Sequence, residues 1–223
     1  KGMKVAAVID SWDRKEPNPS GHIVDVLGEP GQNETEMHAI LAEYGLPAKF
    51  SEDIEREANK IKFEITDYDL KTREDFRNAP TFTIDPADAK DFDDALSYEK
   101  LPNGNFRIGV HIADVSYYVR PGTLIDKEAY ERGTSVYLVD RTIPMLPEVL
   151  SNNLCSLRPH EDKLCFSAIF EMTEGAKVVK EWFGHTVINS DERFNYDEVQ
   201  QIIDSGEGRL AAEINDIKAL ARI

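Results

Sequence analysis

Residues Thr81 to Leu96 read TFTIDPADAKDFDDAL. Five aspartates, Asp85, Asp88, Asp91, Asp93 and Asp94, fall in this short span between the alternating TFTI and the apolar Ala95-Leu96. A strand ending at Asp85 and another starting near Ala95 set the carboxylates on a loop at a strand end, from which Asp91, Asp93 and Asp94 can fold back toward Asp85. Two like charges about 4 Å apart repel by about 4 kcal/mol at an effective dielectric of 20, so several such pairs stay both ionised and close only around a cation.

An acidic loop ordinarily splays into water. Here Phe92 and the apolar strands on both sides argue for partial burial, and Lys90 is the one cation inside the loop. Calcium fits poorly, because the loop lacks the glycine and terminal glutamate of an EF-hand in any register. A phosphatase-type D-x-D at Asp91 and Asp93 would have to follow a strand directly, and Asp91 comes six residues after Asp85. Carboxylate oxygens without a nearby histidine or cysteine favour Mg²⁺, with Mn²⁺ as a substitute. Such a site leaves coordination positions for water and phosphate oxygens, which suits metal-assisted phosphoryl hydrolysis.

Working outward, Lys4 to Trp12 and Gly21 to Leu27 alternate as two strands across the polar, proline-containing DRKEPNPSG, like the tail of a small β-barrel. NETEMHAILAEYG predicts a helix capped by Asn33 with Glu36 completing a capping box, its face formed by Met37, Ile40, Leu41 and Tyr44. Ser51 caps a second helix with Ile54, Ala58 and Ile61 inward. From about Lys62 strands return: PTFTID, then ALSYEKL and NFRIGVHIA around an Asn103-Gly104 turn. Thr123 and Asp126 start a helix that Gly133 ends. The strands SVYLV, LCFSAIFEM and KVVKEWFGHTVIN follow, and Asn195 with Glu198 boxes the start of DEVQQIID.

The 223 residues and 41% hydrophobic content support a real core. No apolar run approaches the roughly 20 residues of a membrane span. Cys155 and Cys165 sit in LCSL and KLCFS without C-x-x-C spacing and read as two buried thiols of a reducing cytoplasm. A net charge of −16 argues by itself against a polyanionic partner, unless part of the acidic excess belongs to a metal site that inverts the local sign. The chain opens directly in the strand-patterned KGMKVAAVIDSW and closes in LAAEINDIKALARI, whose Leu210, Ile214, Ile217 and Ala221 form an apolar stripe with no partner after it. Both ends predict a fragment of something longer.

TIDPADAKDFDDAL, IGVHIADVSYYVRPGTLIDKEAYERGTSVYL and IPMLPEVLSNNLCSL together resemble the catalytic domain of the ribonuclease II/ribonuclease R family, and the N-terminal segment resembles the end of a cold-shock barrel and connector of its bacterial ribonuclease R branch. The resemblance implies a processive exoribonuclease that degrades single-stranded RNA from its 3′ end to nucleoside 5′-monophosphates with Mg²⁺. It implies that Asp85, Asp91 and Asp94 hold the metal, directly or through water. Asp93 is then the residue whose loss abolishes cleavage without preventing RNA binding, and Asp88 stands outside the set. Tyr137 matches a tyrosine that stacks near the 3′-terminal nucleotide, a contact indifferent to base identity. Tyr196 matches an RNA-contacting tyrosine, in the more acidic setting NSDERFNY. Asn152, Asn153 and Arg158 are candidates for the phosphate backbone, with capping and surface solvation as the alternative. His111 is a candidate for touching the site, with a hydrogen-bonded structural histidine as its alternative.

The expected fold class is α+β. It comprises the end of an OB-type cold-shock barrel over residues 1–30, a helical connector over 31–61 and the first half of a mixed α/β catalytic domain over 62–223. The rest of that domain, an N-terminal cold-shock domain and a terminal S1 RNA-binding domain would lie outside the chain, which alone would be inactive or very weak. The rival readings are a metal-dependent phosphatase on small phosphoesters and an RNA-binding regulator without activity.

Overall fold

Phe106, Ile108, Val110 and Ile112 stand at every second position, and in a computed structural model, describing residues 2–47, 49–62, 64–139 and 141–221, they lie on one strand of the main sheet. The chain divides into two compact units, residues 1–53 with 128–145 and residues 54–127 with 146–223.

In the first unit β1 (Lys4–Ser11) and β2 (Ser20–Gly28) form an antiparallel ribbon, followed by α1 (Asn33–Glu43). Gly28 has φ 129°, and a Cβ there would stand 2.3 Å from Thr35 Oγ1, so the approach of β2 to α1 requires glycine. The predicted cap at Asn33 does not form: Gln32 is the N-cap without a side-chain bond, and Glu36 instead accepts from Gly31 N (2.9 Å) and Lys4 Nζ (2.6 Å). The ion pair with Lys4 on β1 draws Glu36 out of the box. Leu41 is buried as expected, but Ile40 and Tyr44 are exposed. Arg132 closes this unit, ion-paired to Glu128 and donating to the carbonyls of Pro47, Lys49 and Pro144, with its guanidinium 3.6 Å from the Phe50 ring centroid. The expected strand SVYLV shortens to β7 (Val136–Tyr137), paired with β8 (Thr142–Ile143).

The second unit is built on a seven-stranded mixed sheet. Its strands are β3 (Glu74–Asp75), β4 (Thr81–Asp85), β5 (Asp94–Lys100), β6 (Phe106–Ala113), β9 (Asp162–Met172), β10 (Val178–Asn189) and β11 (Glu192–Asn195), in the order β11-β4-β5-β6-β9-β10-β3. The outer pairs β11-β4 and β10-β3 are parallel and the inner ones antiparallel. α6 (Tyr196–Ser205) and α7 (Ala211–Leu220) lie on one face, where Ile202 and Ile214 pack with Phe82 and Phe194. The final apolar stripe packs on elements that precede it: Leu210, Ile214 and Ile217 face this cluster, and Leu220 packs with Tyr98, Phe106 and Ile108. The last two residues of that segment lie outside the described ones. Along the chain α2 (Glu52–Ala58) and α5 (Leu124–Arg132) form where the sequence predicts helices, and two further short ones were not expected, α3 (Asp67–Thr72), boxed by Thr66 and Asp69, and α4 (Val115–Tyr118). Asp69 and Asp114 both turn to the enclosed Arg73, which also donates to Cys165 O. Among the described residues no helix is long and apolar enough to cross a membrane.

On the opposite sheet face lies a closed polar network. His111 is fully buried, with Nδ1 2.7 Å from Ser167 Oγ and Nε2 2.8 Å from Ser97 Oγ; Ser167 Oγ is 2.6 Å from Thr186 Oγ1. A Cβ on Gly109 would sit 2.4 Å from Ser97 Oγ, so the network occupies the space a larger residue would need. Both ring nitrogens are engaged and enclosed, which is the geometry of the hydrogen-bonded structural histidine that stood as the alternative to a contact at the site.

Burial lowers the His111 pKa from 6.5 to about 4. Between those values the unfolded chain binds a proton that the folded chain refuses, so this contribution to stability is complete above pH 6.5 and is lost as the pH falls toward 4, by up to about 1.4 kcal/mol per pH unit. Urea unfolding across pH 4 to 7 should show this slope in the parent, and a smaller one in His111→Asn. Phe194, fully buried against the Phe82 ring at 5.8 Å, should cost about 3–5 kcal/mol on replacement by alanine, measured by the same unfolding.

Candidate active site

β4 buries Thr81, Phe82 and Thr83 on its two faces and delivers Asp85 at its C-terminal end, where the parallel β11 places Asn195 beside it in register. The loop then runs through a turn in which Ala89 N donates to Pro86 O (3.0 Å), and β5 begins at Asp94, paired with Ile112. Ala113 N donates to Asp93 O (3.0 Å), so the acidic segment joins the ends of β4, β5 and β6 at one rim of the sheet. Phe92 is buried, which ties the loop down at its centre as its apolar side chain predicts.

The four carboxylates feel one another. Asp85 is 9% exposed, and burial raises its pKa, with the charges of Asp94 and Asp91 adding to the rise. The Thr83 hydroxyl and Arg193 act in the opposite direction. That hydroxyl approaches without hydrogen-bond geometry, leaving Thr83 Oγ1 and Asp85 Oδ2 enclosed and unpaired. Asp93 is pushed up to about 6, by desolvation first and then by Asp91, Asp94 and Asp85, although its side chain still reaches solvent. Crowding by loop atoms on one side and water on the other accounts for both facts.

Among the described residues no three His, Cys, Asp or Glu side chains stand close enough to hold one ion. Like charges repel, so these carboxylates would converge on one point only around a cation. The donor set nevertheless fits a hard divalent cation: every candidate atom is a carboxylate oxygen, and the enclosed Asp85 Oδ2 lacks the partner that a buried anionic oxygen requires.

Two residues that the sequence reading passed over hold this loop. Arg193, on β11, donates through Nη2 to Pro86 O (2.9 Å) and Ala87 O (2.7 Å), and its guanidinium lies 5.1 Å from the Phe92 ring centroid. It adds a cation beside Asp85 that Lys90 does not supply, Lys90 being exposed. Its signal lay in the alternation of ERFN just before the Asn195 box, masked by the acidic run NSDE. Ser156, fully buried, binds the backbone on both sides of Asp91.

The remaining candidates are scattered. Tyr196 is exposed at the first turn of α6, one residue after the partner of Asp85, and the Asn195–Glu198 box that starts the helix forms as predicted. Asn152 lies half-buried and Asn153 exposed in a π-helical turn, Leu150–Leu154, whose Asn153 carbonyl accepts from the buried Lys163 Nζ at 2.7 Å. Arg158 is half-buried and ion-paired with Glu161 at 2.5 Å. Tyr137 is exposed and belongs to the first unit.

Residues 73–223 match the model of the RNB domain, and residues 1–51 that of the cold shock domain. The chain is 41% identical to the exosome complex exonuclease RRP44 of Mus musculus over its whole length, and 43% identical to ribonuclease R of Thermotoga maritima over 91% of it. It spans 24% and 29% of those two proteins, respectively. Among solved structures, Mycoplasma genitalium RNase R in complex with double-stranded RNA superposes with a TM-score of 0.88 at 30% identity, covering 98% of this chain and 39% of that one.

Proposed function

Because the chain belongs to the RNB-domain family, we propose that it is the metal- and RNA-engaging part of a processive 3′-to-5′ exoribonuclease that releases nucleoside 5′-monophosphates. The observation that carries this is the set of four carboxylates at one sheet rim, with Asp85 Oδ2 enclosed and unpaired among them. The relatives named above are described as exonuclease and ribonuclease, and one solved neighbour is described with bound RNA. In this reading residues 1–30 end a cold-shock barrel, 31–61 connect, and 62–223 begin the catalytic domain. The two buried free thiols suit a cytoplasmic setting.

Asp85, Asp91 and Asp94 would hold Mg²⁺, or Mn²⁺ in its place. When bound, the cation neutralises phosphate charge and raises the acidity of water at the site. Asp85 is the fixed member, set by β4 and its register with β11. Arg193 restrains the loop after it and limits how far the Asp85 pKa climbs. Asp93, exposed at the same rim between Asp91 and Asp94, would be the carboxylate that cleavage needs and RNA binding does not. Tyr196, exposed beside the same rim, would contact the RNA, and Asn152 and Arg158 would meet its backbone. Tyr137 would stack on a terminal base, a contact that ignores sequence. With the carboxylate charge neutralised, the excess of acidic residues no longer bars a polyanion.

The full-length gene product, incubated with 3′- and 5′-labelled RNA and Mg²⁺, should release mononucleotides from the 3′ end. EDTA should stop the release. Asp93→Asn should slow it by about a hundredfold or more while RNA is still retarded on a gel. Release that survives both treatments would overturn the mechanism. Hydrolysis of a chromogenic phosphomonoester in place of RNA would favour the phosphatase, and RNA retention without any cleavage by the parent would favour the regulator.

A further inference from the structure

Asp91 is flanked on both sides by main-chain groups that converge on one hydroxyl. Ser156 Oγ accepts from Phe92 N at 3.1 Å and donates to Lys90 O at 2.9 Å, and the next residue, Leu157, donates its N–H to Phe92 O at 2.8 Å. Ser156 is fully buried, as is Leu157, and Phe92 is 6% exposed, so water cannot readily substitute for the hydroxyl. A serine hydroxyl has one proton to give and lone pairs to receive, and both capacities are spent on the peptide groups before and after a single aspartate. The other anchor, Arg193, hydrogen-bonds upstream at Pro86 and Ala87 and meets Phe92 through its ring, leaving the peptide groups on either side of Asp91 to Ser156. Asp94 is held by β5 pairing and Asp85 by β4 pairing. Asp91, in mid-loop, has no strand of its own to set its direction.

We infer that Ser156 is a positioning residue that fixes the backbone on either side of Asp91, so that the Asp91 carboxylate is presented to the divalent cation against the repulsion of its neighbours. This rests on the reading of Asp85, Asp91 and Asp94 as the cation's ligands. Ser156 touches neither cation nor substrate. It acts through peptide groups, as outer partners of ligands do elsewhere, where their loss commonly weakens metal binding by about 10–100-fold. The serine lies in LSNNLCSL, where nothing in spacing or charge distinguishes it from an ordinary small core residue.

The test is Mn²⁺ binding to the full-length gene product, followed by loss of the free-ion electron paramagnetic resonance signal, with unfolding measured in parallel. Ser156→Ala should weaken Mn²⁺ affinity by about 10–100-fold. Ser156→Thr, which keeps the hydroxyl, should recover much of it. A core variant of matched stability loss, Ile108→Val or Ile108→Ala at the far end of β6, should bind Mn²⁺ as the parent does. Should Ser156→Ala fail to fold, Ser156→Cys, with its poorer hydrogen-bonding group in the same place, takes its role with the same ordering expected. Weakened binding in Asp91→Asn alongside parental affinity in the Ser156 variant would overturn the inference and leave the ligand assignment standing. Equal weakening in the Ser156 and Ile108 variants would also overturn it, reducing Ser156 to general stability. Parental affinity in Asp91→Asn would remove the ligand assignment and the inference together.

Discussion

Mutual repulsion among four carboxylates at one sheet rim is the constraint around which the second unit is arranged. Asp85 and Asp93 both have raised pKa values, and each feels Asp91 and Asp94. A flexible loop would relieve that repulsion by swinging its acids apart. Here the relief is limited by strand pairing at Asp85 and Asp94, by the buried Phe92, and by Arg193 and Ser156 acting on backbone carbonyls and amides. Hydrogen bonds to the main chain suit this task, since they fix where the acids stand without neutralising them. In the proposed reading a divalent cation balances the charge that Arg193, beside Asp85, does not.

The sheet behind the loop serves the same end. Its central strands are joined on one face by hydrophobic packing under α6 and α7, and on the other by the His111, Ser97, Ser167 and Thr186 network. A neutral histidine with both nitrogens occupied links β5, β6 and β9 through side chains as well as peptides, and Ser167 extends the chain to β10. Such a fully satisfied network is more directional than an apolar core, because each hydroxyl can be met from few angles. It adds lateral rigidity just behind the strand ends that present Asp94 and Ala113.

Much of this was legible in the sequence, for identifiable reasons. The strand Phe106–Ala113 alternates cleanly, Asp162–Met172 and Val178–Asn189 are rich in β-branched and aromatic residues, and the Asn195–Glu198 capping box announces itself in four residues. The acidic loop was legible because unlike chemistry stands out: aspartates between strands have few structural uses. What failed depended on contacts remote in sequence. Asn33 lost its cap because Lys4 takes Glu36, and the final helix packs near Phe82, Tyr98, Phe106 and Ile108, over a hundred residues earlier. α3 carried its own signal in Thr66-x-x-Asp69 and was overlooked because the segment is short and polar. His111 shows the limit from the other side, since one histidine in a strand carries no mark telling a site from an interior.

Arg193 and Ser156 illustrate why a site's supports are harder to see than its reacting groups. A ligand must have the right chemistry, so its residue type is informative by itself. A support needs only to reach the correct peptide group, and almost any donor or acceptor can do so from somewhere in the fold. Arg193 arrives from a strand parallel to β4 and Ser156 from the residues after a π-helical turn, 64 positions beyond the Phe92 amide it accepts from. Neither separation is implied by local pattern. The acids were therefore recognisable from composition and spacing, whereas what holds them in place emerges from topology: β11 must pair beside β4, and the turn at Leu150–Leu154 must bring Ser156 and Leu157 back across the loop, before any of those hydrogen bonds can exist.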